Sequence, residues 1–129
     1  MKNLLSIAIV SILMMVAGSA WAGTGAVAVY TCSQMDTASE DDVDTAAEAW
    51  LAAAKKVKGG EGLEVVIMYP LAATMGDSDL LFLVKAPSIT AWGTFMDNYE
   101  GNALAKEDRA FADVVKCADS ALWEWAKIE

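Results

Sequence analysis

The chain has 129 residues, enough for one domain, with 9 basic and 18 acidic side chains, no histidine and two cysteines. The acidity disfavours nucleic acid and anionic membrane surfaces as partners, because both require a basic face. The absence of histidine removes the commonest general base and metal ligand, and with it histidine-ligated haem, Ser-His-Asp catalysis and histidine-based zinc sites.

Met1-Lys2-Asn3 is a short positive start, Leu4 to Ala17 is an apolar run, and Gly18-Ser19-Ala20-Trp21-Ala22 ends in an A-x-A pattern. Residues 1–22 are therefore expected to be a secretory signal peptide. The run is shorter than the roughly 20 residues that a membrane-spanning helix needs, and no cysteine follows closely enough for a lipid anchor. The expected mature chain is a single α+β domain, residues 23–129, exported to the periplasm or secreted and free of the membrane after cleavage. Losing Lys2 leaves 8 basic against 18 acidic residues, a formal charge of −10 where the whole chain has −9. Such acidity gives a soluble, self-repelling surface.

Ala26 to Cys32 reads as a first strand, followed by the polar, turn-like Ser33 to Ser39. A strong helix comes next. Ser39 can cap it, Glu40, Asp41 and Asp42 meet the positive end of its dipole, Lys55, Lys56 and Lys58 fill its last turn, and Gly59-Gly60 stop it. Val43, Ala46, Ala47, Trp50, Ala54 and Val57 form its core stripe. Capping explains the acid cluster, whose spacing fits no calcium loop, so no metal is expected. Gly59-Gly60-Glu61-Gly62 sits between a helix end and a strand, the wrong order for a phosphate-binding loop.

Two apolar runs, Leu63 to Tyr69 and Leu80 to Ala86, flank the turn-rich Pro70 to Ser78 and read as a hairpin. Alternation puts Leu63, Val65, Ile67 and Tyr69 on one face and Val66 and Met68 on the other; in the second run Leu80, Phe82, Val84 and Ala86 oppose Leu81 and Leu83. Both faces are apolar, whereas a sheet with one face in water alternates apolar with polar. Something must cover each face. Ser88 then caps a helix whose Trp92, Phe95, Met96 and Tyr99 share a face, and Asn102 caps another expected from about Ala103 to Ala118, with Leu104, Phe111, Val114, Val115 and Ala118 along a stripe. Ala121 to Ile128 is the last strand, with Trp123 and Trp125 on one face.

The element order predicts a ferredoxin-like β-α-β-β-α-α-β sandwich with a four-stranded antiparallel sheet in the order 4-1-3-2. In that order the end of the first strand lies near the start of the last. Cys32 ends the first strand and Cys117 just precedes the last, so the topology accommodates a Cys32–Cys117 disulfide, which an even cysteine count in an exported chain also favours. Such a closure restricts the unfolded chain by about 4 to 5 kcal/mol in the entropic account. Two buried inert thiols are the alternative. A bridge would leave no thiolate nucleophile.

One sheet face would be bare in a lone domain, and an apolar patch of that size marks an interaction surface. A ferredoxin-like unit with a second, split helix before the last strand and an oily outer sheet face resembles the dimeric α+β-barrel superfamily, in which two sheets pack face to face. The resemblance implies a homodimer through the outer sheet face. The superfamily contains cofactor-independent monooxygenases, haem-degrading and haem-peroxidase relatives, stress-responsive barrels and small ligand-binding proteins, so fold does not choose among activities.

The residues offer no catalytic motif and imply no cofactor. Glu124, between two tryptophans, is either an outward-facing edge residue or an acid of raised pKa. Arg109, the only arginine, either anchors an anionic ligand or pairs with Asp113. Tyr30, Tyr69, Trp92, Tyr99, Trp123 and Trp125 are candidates, with Arg109, for a pocket that takes a flat apolar ligand, or else core and dimer interface. The expected function is accordingly binding of a small apolar ligand or an envelope partner by a non-enzymatic homodimer. The alternatives are a cofactor-independent monooxygenase or isomerase, which a Trp- or Tyr-lined cavity with a buried carboxylate would favour, and a structural or interaction module, which a solid interior would favour.

Overall fold

A computed structural model describes residues 24–72, 76, 78–99 and 104–127. The expected signal peptide and the Asn102 cap lie outside the described residues. The chain runs β1 (Thr24–Gln34), α1 (Glu40–Ala54), β2 (Glu64–Met68), β3 (Leu80–Ala86), α2 (Ile89–Tyr99), α3 (Ala105–Ala112) and β4 (Val115–Ala126). Every strand pair is antiparallel, in the order β2-β3-β1-β4, which is the expected 4-1-3-2 read from the other edge.

The local rules that position α1 act as the sequence indicates. The Ser39 hydroxyl accepts from the Asp42 N–H, and the Asp42 carboxylate accepts from the Ser39 N–H at 2.8 Å, a reciprocal capping box. Val43, Ala47, Trp50 and Ala54 are its buried stripe. The helix stops at Ala54, so Lys55, Lys56 and Lys58 follow it rather than fill its last turn. In the turn beyond, Gly59 holds a positive φ of 89°, and a Cβ there would stand 2.4 Å from the Phe95 amide nitrogen. Glycine both permits that backbone and lets the turn touch α2. The Ser88 hydroxyl, as expected, accepts from the Ala91 N–H at 3.0 Å.

Strand alternation decides which face the helices cover. Leu80, Phe82, Val84 and Ala86 of β3, with Ala26, Ala28 and Cys32 of β1, are buried in one cluster with Val43 and Trp50 of α1, Phe95 of α2 and Leu104 beside α3. The opposite face carries Val66 and Met68 of β2, Leu81 and Leu83 of β3, Val27 and Val29 of β1, and Ala121 and Trp123 of β4, placed side by side by the registers Leu83↔Val66, Val29↔Leu83 and Val27↔Trp123. Val66 is 39%, Met68 50% and Trp123 60% exposed. Phe82 thus belongs to the covered face, and Leu81 and Leu83 to the bare one.

The carboxy-terminal third differs from the sequence reading. α3 ends at Ala112, not Ala118, and β4 begins at Val115, so Cys117 lies inside the last strand rather than before it. The register shifts between Thr31↔Asp119 and Cys32↔Cys117, leaving Ala118 as the extra residue of a bulge. That shift puts the two cysteines opposite each other, and they form a disulfide, with Cα atoms 3.9 Å apart. Eleven residues of β1 pair with β4. Pairing of that extent outweighs the weak helical preference of an alanine-containing segment that starts with two valines.

Candidate functional site

The covered sheet face is not packed solid. Between it and the helices lies a cleft of about 250 Å³, lined by Tyr30 and Phe82 from the sheet, Trp50 from α1, Tyr99 from α2, Asp108 and Phe111 from α3, with Val115 and Cys117 from β4. The Phe82 ring is its centre. Tyr30 stands 6.0 Å from it at 51°, Trp50 6.0 Å at 84°, and Phe111 4.6 Å at 45°. Tilted and edge-on contacts of this kind suit the ring quadrupole and leave ring faces turned in several directions.

One charge stands among these rings. Asp108 Oδ1 accepts from Trp50 Nε1 at 2.9 Å, and Oδ2 accepts from the Tyr99 hydroxyl at 2.8 Å. A carboxylate thereby ties α1, α2 and α3 together. It sits in the first turn of α3, where the helix dipole favours negative charge. Among the described residues no lysine or arginine lines the cleft. Burial, the hydrogen bond to Asp108 and the Asp108 charge hold the Tyr99 phenol far above its ordinary value of 10.0. Burial, then the Asp108 charge, raises Tyr30 too. The Tyr30 hydroxyl has no hydrogen-bond partner among the described residues, so it is a polar group still available at the cleft wall.

Of the aromatic residues named from sequence, the structure brings Tyr30 and Tyr99 together and scatters the others. Tyr69 lies at the far end of β2, where its hydroxyl donates to Asp44 at 3.2 Å; burial first and Asp44 second push its pKa up to about 12. Trp92 packs against Phe95, 6.0 Å between rings. Trp123 and Trp125 are on the bare sheet face, where the Lys85 ammonium stands 5.0 Å from the Trp125 ring centre. The indole of Trp125 lies over Gly25, whose missing Cβ would stand 2.5 Å from Nε1. Arg109 is exposed, donates from Nε to the Ala105 carbonyl at 2.9 Å and does not line the cleft. Glu124 is exposed on the edge strand β4.

Sequence reasoning missed Trp50, Phe82 and Phe111 as lining residues, because their spacing reads equally as core. It also missed Asp108, for which a signal existed. Leu104, Asp108, Phe111 and Val115 follow one another at intervals of four, three and four, so a carboxylate interrupts the apolar stripe of α3.

No protein-family model matches the sequence, and no curated protein matches it. Solved structures do. The hydroxynitrile lyase from Passiflora edulis is 9% identical, with 84% of this chain and 96% of that one covered and a TM-score of 0.52. The fold is ferredoxin-like. A dimeric ferredoxin-like protein of unknown function from Thermobifida fusca is 18% identical over 81% of this chain and 92% of its own, with a TM-score of 0.46. SnoaB, a cofactor-independent oxygenase from Streptomyces nogalater, is 9% identical over 82% and 94%, with a TM-score of 0.49. At these identities the likeness is one of fold alone.

Proposed function

We propose that this is an exported, homodimeric protein that binds a small, largely apolar molecule in the cleft between the sheet and α1, α2 and α3. The observation that carries the reading is the cleft itself: five aromatic side chains and one carboxylate surround a space with the Tyr30 hydroxyl, unpartnered among the described residues, at its wall. Apolar walls with a few convergent polar groups are what small-molecule sites share. Export rests on the amino-terminal pattern of residues 1–22 and agrees with the disulfide, a bond that persists in oxidising compartments. No helix among the described residues is long and apolar enough to cross a membrane.

A second copy is the proposed cover for the bare sheet face. Four strands about 4.8 Å apart and some seven residues long at about 3.3 Å present roughly 450 Å² in projection, and more once side-chain relief is counted. That is of the order of the ~800 Å² per partner of a stable interface. A two-fold interface needs only a self-complementary patch, which an apolar sheet face supplies.

A second reading, a cofactor-independent oxygenase or isomerase, is favoured by the tyrosines and carboxylate in an aromatic cleft. Both Asp108 oxygens already accept a hydrogen bond, and the Tyr99 proton is committed to Asp108. Those groups are arranged to hold a charge and a shape more than to move a proton, so binding is the reading preferred.

Native mass spectrometry of protein purified from its own host tests the proposal as a whole. A dimer of chains starting near Gly23 with a retained small molecule is expected. A monomeric, ligand-free chain that keeps residues 1–22 would overturn it, and a dimer carrying a different envelope protein in place of a ligand would favour the partner-binding alternative.

A further inference from the structure

We infer that the molecule the cleft accepts carries a positively charged alkylated nitrogen. This rests on the reading of the cleft as a ligand site and adds the chemical class of the ligand.

The electrostatics are one-sided. Asp108 is half-buried, its two hydrogen bonds come from neutral donors, and no basic side chain among the described residues lines the space it faces. A half-buried carboxylate whose hydrogen bonds come only from neutral donors keeps its full charge to offer a cation that enters the space beside it. An anionic ligand would meet repulsion from the same group.

The rings point the same way. Tyr30, Trp50, Phe82, Tyr99 and Phe111 line the space, so the wall beside Asp108 is mostly aromatic. An aromatic wall backed by one carboxylate suits an alkylated ammonium, which has no strong donors to satisfy and is attracted to aromatic rings by cation–π interaction. The space of about 250 Å³ admits a small trimethylammonium compound and leaves room for its chain. The formal net charge of −9 adds long-range attraction for cations and none for anions.

The test compares two soluble probes of nearly equal shape by isothermal titration calorimetry on the disulfide-bonded mature protein: (2-hydroxyethyl)trimethylammonium and its uncharged carbon analogue 3,3-dimethylbutan-1-ol. The proposal expects the cation to bind at least tenfold more tightly, and the preference to shrink as salt is raised. Asp108→Asn should weaken the cation about tenfold or more and leave the neutral analogue within twofold. Because Asp108→Asn also disturbs a packing contact, Ser39→Ala, which loosens the start of α1 and does not line the cleft, serves as the destabilised control and should retain the preference. If the neutral analogue binds equally well or better, the cation proposal is overturned while the ligand site stands. If neither probe binds, and the protein from its own host carries no small molecule, both fall.

Discussion

The two faces of this sheet are almost equally apolar in sequence and end in different circumstances. On one, Phe82 and Val84 lie under Trp50 and Phe95 and are 5% and 1% exposed; on the other, Leu81 and Leu83 alternate with them along the same strand and no helix among the described residues covers them. Alternation assigns residues to faces, while burial is decided by what else the chain can bring. Three short helices cover one side. The covered side also holds Asp108, a carboxylate hydrogen-bonded by two aromatic side chains, whereas on the bare side the ion pair Lys85–Glu64, at 3.2 Å, lies near the edge of the sheet.

Substitutions on either side separate the two faces by their cost. Phe95, 1% exposed and in ring contact with Trp50, Trp92 and Tyr99, is the largest fully buried side chain among the described residues. Phe95→Ala should cost about 3 to 5 kcal/mol in chemical denaturation, the range for emptying a core aromatic site. The bare-face change Val29→Ala should cost well under half of that in a single subunit.

A smaller effect is expected inside the cleft. Asp108→Asn retains the shape but gives up the charge-assisted bonds to Trp50 and Tyr99, which should lower stability by about 1 to 3 kcal/mol and shift the tryptophan emission. An unchanged denaturation midpoint would mean that Asp108 does not tie the three helices together.

Ser39→Ala, at the start of α1, should cost about 1 kcal/mol at neutral pH, the usual loss for a cap. Its pH dependence has a definite sign. The Ser39 bonds lower the pKa of Asp42 below the ordinary 3.8, so the stabilisation is present above that value and is lost as pH falls through the folded one. The gap between wild type and variant should therefore close in strong acid. At the alkaline end, all three tyrosines are raised, Tyr69 to about 12, so their contribution is intact below pH 10 and fades as pH rises through the folded values. Absorbance of the native protein at pH 10.5 should show little phenolate, and unfolding should release it; a normal titration near 10 would contradict the packing around Tyr30 and Tyr99.

Much of this was legible in the residues. The hairpin and α1 could be read because their signals are local: β-branched runs bounded by turn residues, and Ser39 with Asp42 at a helix start. The boundary between α3 and β4 could not, because Phe111, Val114, Val115 and Ala118 fit a helical stripe as well as a strand. Pairing with β1 and the bond between Cys32 and Cys117 decide it, and both are contacts across the fold. The cleft was half legible. Tyr30 and Tyr99 could be nominated by type, but that Trp123 and Trp125 face away from them depends on strand register, which a count of aromatic residues does not contain.

The proposed cover for the face that the helices leave bare is a second copy of this chain. Sedimentation equilibrium of the mature protein from 1 to 100 μM, beside Leu83→Glu, tests it most directly. The account predicts a dimer for the wild type and a folded monomer for the variant, whose buried like charges should weaken association at least a hundredfold. A wild type that stays monomeric at 100 μM, or a variant that dimerises as the wild type does, would contradict it.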